Sequence, residues 1–429
     1  MNFGSLSLNQ SPDISIPLRF FITAPLFAIT AMALWLLTGP PLLHERWLPQ
    51  TLAFTHLMTL GFITMIMIGA MFQLLPVISG RGLFAARYTS LLIHSLFSAG
   101  VALLAYGFYS GNESVMQLAL ILLSLTFVIF LPLLTHAVFA TTASNDAVRS
   151  MRVAVLSLWI AIGLGVWLLS GHTGMTSLLR NNTPLHIAWA AIGWVNIMII
   201  SIAYQVIPMF EVTHDYPKVI SRWLTPGILS LLIIWSALHI WLQQPWLSFT
   251  LALLICLLLL TFISITLHLQ IQRKKFVADA NLYFWVTGIT GLFFSMLLYL
   301  YAQAVNSDID TAIGMAFIFG FIVPVMNGML YKIVPFLVWL NLNRKLAFTK
   351  PRIKIPNMLE IISSKRCMTQ FGLYLLALLL TILYFVKPDW FFYPAVITWL
   401  INFVVFWLNL LGAAVIYIRV SRTVTNHPP

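Results

Sequence analysis

The chain is 429 residues long, 60% hydrophobic and only 8% charged, with a formal net charge of +12. A soluble globular domain carries about 25% charged residues, so this composition excludes a water-soluble enzyme and points to a chain built for lipid. The basic excess falls in short clusters between apolar runs, which argues against a nucleic-acid patch and makes charge a topology signal.

Residues 1–16 are polar and lack a basic stretch followed by a short apolar core and a cleavage site, so the first span is expected to serve as its own anchor. Twelve apolar spans then follow: 17–38, 51–78, 91–109, 116–140, 153–170, 184–210, 223–243, 246–269, 281–304, 310–341, 369–386 and 391–418. Each is long enough to cross a bilayer. Backbone polar groups in lipid must bond within their own segment, so each span is expected to be a helix. The predicted class is an all-α polytopic membrane protein.

Of the 23 Lys and Arg residues, nineteen lie on the side that holds the N-terminus, including the seven of the 344–366 loop. Arg46, Arg180 and Lys387 lie on the other side, and Lys332 falls within a span. By the positive-inside rule both termini are expected in the cytoplasm. Cys256 and Cys367 are isolated, with no CxxC and no CxxCH for covalent heme attachment. None of the eleven Asp and Glu residues falls well within a span, which weakens a proton-coupled transporter reading.

One pattern recurs three times. Span 2 holds Gly61, Gly69, Phe72, Gln73 and Pro76; span 6 holds Gly193, Ser201, Tyr204, Gln205 and Pro208; span 10 holds Gly320, Gly328, Tyr331, Lys332 and Pro335. The spacing is the same in each, and the copies fall four spans apart. Three four-helix units are therefore expected, over 17–140, 141–280 and 281–418, between the polar tail 1–16 and a tail at 419–429. Small residues allow close helix packing, while Gln73, Gln205 and Lys332 read either as snorkelling groups or as a polar ring.

The histidines concentrate in the first two units. His56 lies about one turn below the outer surface in span 2, and His186 opens span 6. His44, His172 and His239 lie near the same outer side. An ionisable residue within a span is a functional hypothesis, set against the plainer reading of a neutral histidine bonded to a carbonyl. Met315 in span 10 stands where His56 stands in span 2, each twenty residues before the motif proline. Methionine is an axial heme ligand in some cytochromes.

Twelve spans in three four-helix arcs, with a histidine near the outer start of span 2, resemble the heme-copper oxidase subunit I architecture. The spacing of His56, Gly61-Phe62, Gly69, Pro76 and Gly80 resembles more specifically the NnrS-type membrane proteins, which are hemoproteins linked to nitric-oxide tolerance. That resemblance implies a bacterial inner-membrane protein with heme held in the outer half. His56 would be the leading ligand, His186 the second and Met315 an alternative. His44, His172 and His239 would be candidates for a metal such as copper. An adjacent His-His pair and any span-10 histidine are missing, so oxygen reduction is not implied. The reading is a hemoprotein of nitric-oxide response or of heme and metal handling, with membrane lipid and a redox or oxidase-assembly protein as partners. A small-molecule or copper carrier and a cofactor-free structural subunit stand as alternatives.

Overall fold

The computed structural model describes residues 10–143, 145–242, 244–274, 279–346 and 354–425. Most of the polar tail, Lys275, Lys350, Arg352 and His427 lie outside the described residues. The described residues form helices and connecting turns, with no strand among them.

Twelve helices are long and apolar enough to cross a membrane. They are α1 (Ser15–Thr38), α2 (Pro49–Ser79), α3 (Ala86–Ser110), α4 (Glu113–Phe139), α5 (Asp146–His172), α6 (Arg180–Glu211), α7 (Lys218–Trp241), α8 (Pro245–Ile271), α9 (Ala280–Val305), α10 (Asp310–Lys345), α11 (Ser364–Val386) and α12 (Pro388–Thr423). Each expected span has its helix, and the differences lie at the ends. α5 begins seven residues before the expected 153, because Asn145 caps it, accepting from Val148 N–H at 2.8 Å. Hydropathy marks where a helix enters hydrocarbon; capping marks where the helix starts.

The chain divides into two compact bodies. One comprises Met1–Ser11, Met71–Val277 and Phe293–Ile309, and the other Pro12–Ala70, Ala278–Leu292 and Asp310–Pro429. In the first, α3 pairs with α4, α5 packs on α4, α6 and α7, and α7 packs on α8. In the second, α1 packs on α2 and α12, and α12 on α10 and α11.

The α11–α12 pair illustrates how sequence period becomes packing. The buried residues Cys367, Gln370, Tyr374, Ala377, Thr381 and Tyr384 alternate spacings of three and four, as do Ala395, Trp399, Asn402, Phe406, Asn409 and Ala413. A mean spacing of 3.5 keeps one seam facing the partner. Lipid tails are as apolar as leucine, so the seam is held by close packing and hydrogen bonds rather than by water exclusion. Gln370 Nε2 donates to Asn402 Oδ1 at 3.1 Å, and Asn402 Nδ2 returns a bond to the Gln370 carbonyl at 3.0 Å. Trp399 Nε1 donates to Thr381 Oγ1 at 2.8 Å.

Candidate functional site

α2, α6 and α10 are the most enclosed helices, with 94%, 61% and 72% of their most apolar windows buried against 28–44% for the other nine. They are also the three that carry the Gly-x7-small pattern. Each contains a π-helical stretch: Leu57–Thr64 in α2, Trp189–Asn196 in α6 and Ala316–Ile322 in α10. Each stretch begins four residues before its motif glycine: Gly61, Gly193 and Gly320. π-helix is rare and occurs frequently at functional sites.

The glycines are where each helix meets the helix before it. A Cβ on Gly61 would lie 2.6 Å from Phe27 Cβ of α1, and one on Gly193 would lie 2.8 Å from Ser157 Cβ of α5. Gly320 lies against Gly291 of α9, where the approach is backbone on backbone. Seven residues earlier on the preceding helix, Phe20 lies 2.7 Å from the Cβ position of Gly69, and Phe284 lies 2.8 Å from that of Gly328. Within the second body the α2 and α10 π stretches also pack on each other, and Phe54, three residues before the α2 stretch, stacks on Phe319 at 6.1 Å.

A π turn displaces the usual i→i−4 bonding and changes which carbonyls the helix itself satisfies. Side chains take up bonding there. In α2, Thr64 Oγ1 donates to the Thr59 carbonyl at 2.8 Å, five residues back. In α10, the Phe319 carbonyl accepts from Tyr374 O–H. In α6 the situation differs. Asn196, which ends the π stretch, is fully buried with both amide atoms unpartnered, and the buried Trp194 Nε1 is likewise unpartnered. Sequence reasoning passed over both. The signal was present in the polar Asn196 midway along an apolar span, "GWVNIMII".

His56 is half-buried and immediately precedes the α2 π stretch. Its Nδ1 lies 2.7 Å from the Leu52 carbonyl. A carbonyl can only accept, so Nδ1–H donates, and in the neutral ring Nε2 carries the lone pair. His186 shows the same arrangement, with Nδ1 donating to the Ala161 carbonyl of α5 at 3.0 Å. Gly165, one turn along α5, makes room for this ring: a Cβ there would lie 2.9 Å from His186 Cε1. Met315 is buried at 5% exposure and directly precedes the α10 π stretch.

The three remaining candidate histidines have other surroundings. His44 is exposed after the turn Pro40–Leu43. His172 meets Phe108 edge-on at 5.3 Å. His239 stacks on Trp235 at 5.3 Å, and its Nε2 donates to the Asn181 carbonyl at 3.0 Å. Among the described residues, no group of three or more His, Cys, Asp or Glu side chains is placed to hold a metal ion.

The motif's polar position also has a structural role in two copies. Gln73 is buried, and its Nε2 donates to Ser11 Oγ at 2.8 Å. Lys332 forms an ion pair with Asp279, just before α9. Both therefore bond within the protein instead of snorkelling to solvent. In the first body, Glu211 at the end of α6 is buried and pairs with Arg273, just after α8, at 3.5 Å. Nearby, Tyr216 is buried and shares a 2.9 Å hydrogen bond with Thr266 Oγ1. Burial pushes the Tyr216 phenol well above its ordinary range, the hydrogen bond to Thr266 opposes this, and Tyr204 adds to it.

Compared with models of known protein families and with curated protein sequences, the chain matches none of them.

Proposed function

We propose that the chain is an integral membrane hemoprotein built from three repeated four-helix units, with α2, α6 and α10 as the inner helix of each. The observation that carries the heme reading is the shared geometry of His56 and His186. Each donates Nδ1–H to a backbone carbonyl, which orients the ring and makes Nε2 the basic nitrogen, the one with a lone pair suited to a metal. Metal-ligating histidines characteristically hold their other ring nitrogen in this way. The placement of each beside a π stretch adds support. The repeat reading rests on the same three-part construction: a π stretch, a glycine within it, and a close crossing with the preceding helix.

The donor chemistry fits a heme: the neutral imidazole of His56 would be able to hold the iron, and the buried thioether of Met315 would be a further candidate donor. His56, in the second body, is the primary ligand in this reading, and His186, in the first body, is a further candidate taken by itself. A heme held by His56 would supply a site for binding a diatomic gas such as nitric oxide. The protein's own part is to hold each ring in one tautomer and to keep the surroundings apolar. The lysine and arginine distribution supports cytoplasmic termini, and residence in a bacterial inner membrane rests on the resemblance to NnrS-type proteins alone.

Expression with heme supplied, followed by an absorbance spectrum of the purified protein, tests this. A Soret band in the wild type that is lost in His56→Ala supports the reading. Absence of the band, or a band unchanged by His56→Ala and His186→Ala together, contradicts it.

A further inference from the structure

In the second body, a cleft of about 180 Å³ lies between α11 and α12 and is lined by Lys365, Arg366, Thr369, Val405 and Asn409. We propose that it binds the phosphate oxyanion of an anionic lipid headgroup. Two cations on successive residues of the first turn of α11 line it, with a hydroxyl one turn further on. Asn409 contributes an amide that is only 7% exposed and is held in place by donating to Tyr331 O–H at 2.9 Å.

Arg366 reaches across toward α12, where its Nη1 lies 3.9 Å from the Cβ position of Gly412. No side chain at Gly412 stands between the guanidinium and the α12 backbone. Among the described residues, no carboxylate pairs with Lys365 or Arg366; the ion pairs on this face are made by other groups, such as Lys354 with Glu360. The cleft therefore holds cationic and hydroxyl donors that match phosphate oxygens, with the planar guanidinium suited to two of them. Basic pockets between membrane helices bind phospholipid headgroups in this way. The nearby exposed Met368 and Leu408 offer apolar surface to an acyl chain.

A phospholipid headgroup and inorganic phosphate share this chemistry, so the experiment separates them. The full chain is placed in nanodiscs of phosphatidylcholine alone or with phosphatidylglycerol, and its thermal midpoint is measured with and without the double substitution Lys365→Gln/Arg366→Gln. Inorganic phosphate is titrated in detergent in a parallel arm. The expected result is a midpoint raised by about 2–4 °C in phosphatidylglycerol, with that rise lost in the double variant and no rise with inorganic phosphate. A rise with inorganic phosphate that the double variant abolishes keeps the oxyanion site but names a soluble ligand. No phosphatidylglycerol effect, or one that persists in the variant, overturns the proposal. The single variants Lys365→Gln and Arg366→Gln and native mass spectrometry of retained phosphatidylglycerol give the same readout if the double variant folds poorly.

Discussion

Gly291 and Gly320 meet backbone to backbone: a Cβ built on Gly291 would lie 2.0 Å from the Gly320 carbonyl oxygen. No rotamer change relieves such a contact, because the atom in the way is main chain. Gly291→Ala must force α9 and the α10 π stretch apart. A loss of about 1–3 kcal/mol is expected, seen as a lower thermal midpoint in detergent. Gly163→Ala and Gly314→Ala, at positions where a Cβ meets nothing within 4 Å, should leave the midpoint nearly unchanged.

Tyr374 donates its phenolic hydrogen to the carbonyl of Phe319, within the α10 π stretch. Tyr374→Phe leaves that buried carbonyl to the helix alone, at a cost of about 1–3 kcal/mol. Hydrogen exchange should quicken over Ala316–Ile322 and stay as in the wild type over Leu57–Thr64, whose widened turn is bonded by Thr64. Equal quickening in both stretches would separate the hydroxyl from the π geometry.

Lys332 and Asp279 are each about three-quarters buried and pair with one another. Removing either partner leaves a charge in a poorly solvated place, so Lys332→Met and Asp279→Leu should each destabilise by roughly 1–3 kcal/mol. The double variant should recover part of that loss, because neither of the two opposite charges is then left without the other. A double variant as unstable as the sum of the two would show that the pair's attraction is not what holds the position.

These contacts mark the boundary of what hydropathy and spacing convey. The twelve spans were legible because crossing hydrocarbon needs long apolar runs, and the Gly-x7-small pattern was legible because close crossings need small residues at fixed spacing. The π stretches were not legible. Leu57–Thr64 and Ala316–Ile322 contain ordinary helix residues, and packing against the neighbouring helix accompanies the changed bonding there. Nor did sequence reveal that Gln73 bonds to Ser11 or Lys332 to Asp279, since each partner lies more than fifty residues away. Asn196 was visible as a polar residue within an apolar span, and only its burial showed that its amide has no partner.

Glu360 closes a capping box on the short helix Met358–Ile361, accepting from Asn357 N–H at 2.8 Å. That hydrogen bond, followed by the one from Lys354, holds its carboxyl below the ordinary value of 4.5. A depressed folded-state value means that the cap's contribution is full above the unfolded value. It is lost as pH falls through the folded value. Amide signals of Met358–Ile361 should therefore broaden or shift only below about pH 4.5. In Glu360→Gln that pH dependence should disappear.

Gly165 gives room to the His186 ring, with its Cβ position 2.9 Å from Cε1. Gly165→Ala is expected to tilt the ring and weaken the Nδ1 bond to the Ala161 carbonyl. If His186 ligates a heme, the visible spectrum of the variant shifts while heme content measured by pyridine hemochrome stays near that of wild type. An unchanged spectrum would separate Gly165 from ligation.

The most direct measurement is the absorbance spectrum of the purified chain after expression with heme, compared among the wild type, His56→Ala and His136→Ala. His56 holds its tautomer through the Leu52 carbonyl beside the α2 π stretch, whereas His136 is exposed on α4. The expected result is a Soret band in the wild type and in His136→Ala that is lost or strongly reduced in His56→Ala. A wild-type protein with no Soret band, or a band of equal strength in all three, would contradict a heme held by His56.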